Sequence, residues 1–197
     1  MKSNKKQMSE KVRILCISAV LLALATVLSL LKIWQFPWGG SITLGSMLPI
    51  VLIAICYGTG HGLFTAFLFS CIQLFLSLGE IMSWGLTKEM LIGTILLDYI
   101  LPYTVIGLSG IFAKRGNAGK LCGTTLAIFL RYLSHVLSGV VLWHSAGKLW
   151  EGLNIENEWL YSLAYNACYM LPEMAITVIL AWLIIKNKSF MRSISAE

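Results

Sequence analysis

The chain has 197 residues, of which 57% are hydrophobic and 12% charged, and its mean hydropathy is +0.78. A soluble domain carries about 25% charged residues. This composition excludes an ordinary soluble protein and predicts one polytopic membrane domain over residues 1–197. The net charge of +6 does not indicate nucleic-acid binding, because the basic residues flank apolar runs as membrane orientation requires.

The spacing of the cysteines and the lack of catalytic motifs exclude several kinds of site. The five cysteines lie in apolar runs without a CxxC pair, which argues against a disulfide framework or a metal site. No phosphate-binding loop, HExxH or GxSxG motif is present. The sequence therefore predicts no metal, no cofactor and no ATPase activity of its own.

Apolar segments predict six transmembrane helices. The basic N-terminus resembles a signal peptide, but its apolar run continues to Leu31, too far for a cleaved one. We therefore expect a retained first helix over about residues 14–31. The other predicted helices cover about residues 42–57, 63–78, 90–113, 121–143 and 160–185. The predicted fold class is an all-α, integral membrane six-helix bundle.

The distribution of Lys and Arg predicts the orientation. Six helices place both termini on one side, together with the connection between helices four and five. That side receives eleven Lys and Arg residues, and the other receives three. Both termini are thus predicted to be cytoplasmic. Six of the seven tryptophans fall on the outer side, which suggests that some line an outward-facing site.

Two segments near the N-terminus are candidates for recognition. Ala19 and Ala23 are four residues apart in the first helix, and small residues at this spacing let helices approach closely in lipid. Either helix packing or a partner-docking face fits them. The first outer loop combines tryptophans with Gly39 and Gly40, so it is either an interfacial anchor or a cover over a ligand.

Polar residues inside the last three helices predict a pocket, because ionisable groups in lipid are costly and face protein or water. Asp98 could accept a structural hydrogen bond, pair with Arg131, or balance a cationic ligand. For Arg131, a structural pair with Asp98 or Glu173 is expected. Side chains four residues apart on an α-helix differ in direction by only about 40°, so residues at this spacing in the fifth predicted helix form a stripe along one side of it. The stripe consists of Arg131, His135, Gly139 and Trp143.

The sixth helix adds a second polar face. Tyr161, Tyr165, Tyr169 and Glu173 recur every four residues, a pattern typical of helix packing. Asn166 shares a face with Glu173. We expect one of these two polar residues to meet a ligand atom, and Glu173 to anchor the packing. Aromatic rings with carboxylates, an amide and phenols suit a flat, cationic, heteroaromatic ligand.

Three segments carry a resemblance to a known family. They are WGGSITLGSMLPI from Trp38, RYLSHVLSGVVLW from Arg131 and YSLAYNACYMLPE from Tyr161. With six short helices and the alanine pair, the chain resembles the thiamine-specific S components of energy-coupling factor transporters over essentially its whole length. The resemblance implies a bacterial cytoplasmic membrane protein that binds thiamine in an outward-facing site under the first loop.

The same resemblance implies roles for individual residues. Trp38 and His135 match the pair that sandwiches the aminopyrimidine, and Trp143 matches the aromatic that packs on the thiazolium. Asp98 and Tyr99 match an acidic-Tyr pair in which the acid is usually glutamate. The remaining matches are Gly139 at a close approach, and Tyr161 and Asn166 as polar contacts near the other end of the ligand.

The resemblance also implies partners. Ala19 and Ala23 match the motif that docks onto a transmembrane coupling subunit, which sits with two cytoplasmic ATPases. Those ATPases would use the ATP, and the S component would topple in the membrane to deliver its cargo.

Two alternatives stay open. The first is an S component for another flat vitamin or precursor, such as hydroxymethylpyrimidine or riboflavin. The second is an intramembrane enzyme that uses His135 with Asp98 or Glu173. It is disfavoured because no serine or cysteine nucleophile lies in a recognised motif.

Overall fold

The computed structural model describes residues 2–36, 39–145, 147–150 and 153–195. Over these residues the chain forms helices, two short antiparallel hairpins and the connections between them. The helices are α1 (Lys2–Leu30), α2 (Leu48–Tyr57), α3 (Thr59–Ser83), α4 (Lys88–Thr94), α5 (Leu101–Thr104), α6 (Gly116–Val141), α7 (Glu158–Lys186) and α8 (Lys188–Ile194). The hairpins pair β1 (Lys32–Gln35) with β2 (Ser41–Thr43), and β3 (Gly147–Trp150) with β4 (Leu153–Ile155).

The fold is the predicted membrane bundle of six helical passes. Four stretches are long and apolar enough to cross a membrane: Met8–Leu30, Thr59–Ser83, Lys88–Val141 and Glu158–Lys186. The third stretch holds two passes, because its two halves pack in antiparallel order. Ser134 Oγ donates to the Leu97 carbonyl at 2.8 Å, and Gly123 lies against the Ser109 carbonyl. With α2 as the sixth pass, the predicted all-α class is confirmed.

The short helix α2 forms the centre of the core. Its 10 residues rise only about 15 Å, half the thickness of the hydrocarbon layer. Every residue from Leu48 to Ile55 is buried, as expected of a helix that is apolar on all sides. Ile50 and Ile53 contribute to the main apolar cluster together with Phe69 of α3.

The second predicted helix, 42–57, begins later in the structure. Residues 41–43 form β2 instead, and Gly45 turns the chain with a φ of +76° before α2 starts at Leu48. A side chain at Gly45 would collide with Leu180 of α7, since an added Cβ would lie 2.7 Å from its Cδ1. The close packing of this turn on α7 therefore brings the first hairpin over the bundle.

The fourth predicted helix, 90–113, is not a uniform α-helix. It changes from α4 to a π-helical turn at Ile95–Ile100, to α5, and then to a 3₁₀ turn at Val105–Gly110. Pro102 lacks the N–H that would bond to the Asp98 carbonyl, and the wide turn directly precedes it. The Leu101 N–H bonds five residues back, to the Leu96 carbonyl. π turns of this kind are frequent at functional sites.

The two ends of the bundle carry different features. At one end Arg13 Nη2 donates to the Ser193 carbonyl at 3.0 Å, so the N-terminal half of α1 lies beside α8. The first hairpin, the turn after α3 and the segment after α6 meet at the other end, where Trp84 lies beside Trp143. The assignment of the first end to the cytoplasm stays a prediction from the basic residues.

Candidate ligand-binding site

A cavity of about 890 Å³ lies at the hairpin end of the bundle. It is bounded by α3, the π turn, α6, α7 and the first hairpin. Seven of the predicted site residues line this one cavity: Asp98, Tyr99, His135, Gly139, Trp143, Tyr161 and Asn166. Trp38, the eighth, lies outside the described residues.

Asp98 forms the centre of the polar wall. Its Oδ2 accepts hydrogen bonds from Ser138 Oγ at 2.7 Å and from the Trp143 indole N–H at 3.3 Å. Its Oδ1 lies 3.5 Å from His135 Nδ1. The side chains of His135 and Asp98 are 12% and 20% exposed. The carboxylate is therefore largely removed from lipid and partly open to the cavity.

The π turn fixes where Asp98 points. It inserts an extra residue into the turn, which rotates the following side chains relative to a regular helix. Tyr99, next in the chain, also lines the cavity.

Helix α6 packs closely against α7 at Gly139. A Cβ built at this glycine would lie 2.3 Å from Ser162 Oγ and 3.1 Å from Ser162 Cβ. Ser162 uses the space to donate to the Val136 carbonyl at 2.8 Å. The glycine therefore brings the walls of the cavity together, which is a packing role in addition to the close approach implied for a ligand.

Asn166 belongs to a buried network. Its Nδ2 donates to the Ser162 carbonyl at 2.8 Å and lies 3.4 Å from the His135 carbonyl. Its Oδ1 accepts from the Tyr169 hydroxyl. These bonds fix the amide between α6 and α7, and the residue still borders the cavity.

Aromatic rings line the remaining wall. The ring centroids of Trp84 and Trp143 are 5.5 Å apart at 83°, an edge-on contact. Tyr161 and Tyr165 stack with centroids 6.1 Å apart and planes 6° apart. Trp143 is held at its edge by Trp84 and at its N–H by Asp98, so its ring orientation is set before any ligand enters.

Arg131 does not form the expected ion pair. In the described part of the chain, no carboxylate oxygen lies within salt-bridge distance of its guanidinium, so the predicted pair with Asp98 or Glu173 is wrong. The guanidinium instead lies 4.2 Å from the centroid of the Tyr103 ring. A guanidinium stacks favourably on an aromatic face and is weakly hydrated. The Arg131 guanidinium is thus held by the Tyr103 ring.

The tyrosine stripe of α7 supports the first hairpin. The Tyr165 hydroxyl donates to the Gly39 carbonyl at 2.9 Å, and Phe36 packs against the rings of Tyr165 and Tyr169. A Cβ at Gly40 would lie 2.6 Å from the Tyr169 ring. The stripe predicted to pack helices therefore packs largely against the loop that covers the cavity.

Glu173 anchors the base of the same hairpin. Its Oε1 accepts a hydrogen bond from the Thr43 backbone N–H in β2. Thr43 Oγ1 in turn donates to Ser46 Oγ at 2.8 Å. Glu173 and Thr43 are 4% and 6% exposed. The expected anchoring role of Glu173 thus connects α7 to a strand.

Replacing Glu173 by leucine is expected to destabilise the apo-protein by about 1–3 kcal/mol, because the buried Thr43 N–H loses its acceptor. The apparent midpoint of thermal unfolding in detergent measures the effect. Glu173→Gln is the matched control, since its amide oxygen still accepts the bond. Equal midpoints for the leucine and glutamine variants would contradict the anchoring role.

Several residues of the site were not predicted from the sequence. Ser138 of α6 donates a hydrogen bond to Asp98, and Ser162 of α7 donates one to the Val136 carbonyl. Both serines line the cavity, as do Tyr165 and Tyr169. Ser138 lies three residues after His135, so the i, i+3 spacing could have indicated it. Among the described side chains, no group of three or more His, Cys, Asp or Glu is placed to hold a metal ion.

Comparisons with known proteins identify the family and the fold. The model of a family described as "Thiamine transporter protein (Thia_YuaJ)" matches residues 15–192. The thiamine transporter ThiT of Bacillus subtilis (strain 168) is 33% identical over 180 residues, which cover 84% of this chain and 86% of that protein. A solved structure of ThiT from Listeria monocytogenes aligns with a TM-score of 0.68 at 24% identity, covering 92% of this chain and 97% of that one. The structural likeness shows a shared fold.

Proposed function

We propose that this chain, which belongs to the thiamine transporter protein family, is the high-affinity thiamine-binding S component of an energy-coupling factor importer. It is a multi-pass membrane protein, and we place it in the bacterial cytoplasmic membrane with both termini in the cytoplasm. Its cavity then opens outward, where the vitamin is captured. The chain itself carries out no catalysis, in keeping with relatives that are named transporters.

One observation carries the proposal: a carboxylate and an indole ring that are held together in the same membrane-embedded cavity. Asp98 and Trp143 are joined by a hydrogen bond of 3.3 Å. A carboxylate attracts a cation, and an indole face binds one at up to about 2 kcal/mol when water is excluded. Thiamine joins two flat rings through a methylene group, with a fixed positive charge on one ring and an amino group on the other. Both features match this pair.

The proposed pose distributes the two rings over the cavity. The thiazolium packs on Trp143, and the aminopyrimidine lies between His135 and Trp38. Asp98, with Tyr99 beside it, provides the negative charge that the ligand requires. Tyr161 and Asn166 contact the other end of the ligand, and Gly139 leaves room for it beside α6.

High affinity would come from preorganisation. The Asp98 carboxylate, the Trp143 ring and the Asn166 amide are all fixed by bonds within the protein. A ligand that meets fixed groups loses less conformational entropy on binding. Each charge-assisted contact then contributes about 1.5–3 kcal/mol.

Delivery requires partners. Ala19 and Ala23 lie on an exposed face of α1 in the isolated chain. We propose that this face docks onto a transmembrane coupling subunit, because small residues four apart permit close helix contact in lipid. Two cytoplasmic ATPases bound to that subunit would hydrolyse ATP and drive toppling of the loaded chain.

The proposed function is tested by identifying the ligand. Protein purified without added vitamin is extracted and analysed by mass spectrometry, and emptied protein is titrated with thiamine while tryptophan fluorescence is followed. We expect thiamine in the extract and saturable quenching on titration, because Trp143 lines the site. Absence of both would overturn the proposal.

A competition panel separates thiamine from the alternative cargoes. Thiamine is expected to displace both hydroxymethylpyrimidine and riboflavin. The pyrimidine half alone should bind more weakly, since it lacks the charged ring that Trp143 and Asp98 would attract. Tighter binding of either competitor than of thiamine would reassign the cargo.

A further inference from the structure

Ser138 makes the shortest of the contacts to the carboxylate of Asp98. Its hydroxyl donates to Asp98 Oδ2 at 2.7 Å, across from α6 to the π turn. The residue is 1% exposed. Ser138 itself borders the cavity beside His135 and Gly139.

The two oxygens of Asp98 differ in their surroundings. Oδ2 takes both neutral donors, from Ser138 and from the Trp143 indole. Among the residues that the structure describes, the neighbour of Oδ1 is His135 Nδ1, at 3.5 Å. A carboxylate has about four acceptor sites on its two oxygens. Binding two donors on Oδ2 leaves Oδ1 with an acceptor site beside the one that faces His135.

The geometry points to Ser138 as the positioning residue for Asp98: its hydroxyl fixes the carboxylate rotamer so that Oδ1 is presented to the cationic ligand. This inference rests on the proposed function, because the ligand is thiamine. An aspartate carboxylate turns about a broad terminal torsion and needs an external contact to hold one orientation. Ser138 supplies that contact from a helix, the more rigid of the possible supports.

The same bond sets the Trp143 ring. Because Oδ2 receives both the Ser138 hydroxyl and the indole N–H, a carboxylate that rotates away releases the indole as well. Loss of Ser138 would therefore weaken the carboxylate contact and the aromatic contact together. Ser138 would thus control the orientation of two residues that contact the ligand in the proposed pose.

Ser134 provides a matched control on the same helix. It lies one turn before Ser138, is 5% exposed and also donates to the π turn, at 2.8 Å. Its acceptor is the Leu97 backbone carbonyl, which does not rotate with the Asp98 side chain. Ser134→Ala removes a similar helix-to-helix bond and leaves the carboxylate held.

The experiment measures thiamine affinity by calorimetry for wild type, Ser138→Ala and Ser134→Ala, with thermal unfolding of each apo-protein. We expect Ser138→Ala to bind about tenfold more weakly and Ser134→Ala to bind as wild type does. In an Asp98→Ala background, Ser138→Ala should cause no further loss, because the group it positions is gone. The same loss in both backgrounds would overturn the positioning role.

The outcomes separate this inference from the proposed function. If wild type does not bind thiamine, the function itself fails. If wild type binds and Ser138→Ala binds equally well, only the role of Ser138 fails. Should Ser138→Ala not fold, Ser138→Thr and Ser138→Val replace it as an isosteric pair with and without the hydroxyl. Tighter binding by the threonine variant supports the inference, and equal binding overturns it.

Discussion

Thiamine binding is expected to weaken by about tenfold or more when Asp98 is replaced by asparagine, because the charge that attracts the ligand is lost. The substitution keeps the shape of the side chain. The amide oxygen can still accept from Ser138 and Trp143, which leaves the amide nitrogen to face the cavity. That nitrogen donates hydrogen bonds and cannot attract a cation, so both the charge and the acceptor on the cavity side disappear.

Calorimetric titration of the purified variant measures this loss directly. Glu80→Gln is the control, because Glu80 also lines the cavity but is solvent-exposed at its rim. An exposed charge is screened by water and contributes little, so the control should bind nearly as wild type does. Wild-type affinity in Asp98→Asn would restrict Asp98 to a structural role between α6 and the π turn.

The second large effect is expected on α1, away from the cavity. Ala19→Trp should abolish thiamine uptake by cells while leaving the affinity of the purified chain unchanged. The indole would project from the exposed face that Ala19 and Ala23 form on α1, and a helix interface built on small residues has no room for it. Ala19 does not border the cavity, so capture of the vitamin should be unaffected.

Leu24→Trp is the matched control for this variant. Leu24 is 45% exposed on the same helix, and five residues further along a helix turn the side chain by about 140°. Uptake should persist in this control. Normal uptake by Ala19→Trp would remove the alanine face from the coupling interface. Reduced binding by the purified variant would show that the substitution disturbs the site itself.

Much of the site could be predicted because polar residues are rare in this chain's helices. Asp98, His135 and Asn166 were identifiable from the cost of placing such groups in lipid, which requires a protein or water surrounding. The structure brings these three residues to one cavity. The free-energy cost of exposing a polar group to lipid indicates that its side chain lies inside the bundle. It does not indicate which group the side chain contacts there. The predicted partner was therefore wrong for Arg131, which lies over Tyr103 and not beside a carboxylate.

The membrane class, the six helices and the residues that must avoid lipid could be predicted from the amino-acid sequence alone. Length, hydropathy and helical periodicity are local properties, and the bilayer imposes them on each segment separately. The tertiary structure alone decided the contacts between distant segments. Ser138 meets Asp98 across 40 residues, and Glu173 meets Thr43 across 130. Such pairs depend on how α6 and α7 pack against the π turn and the hairpin, and no local pattern records that packing.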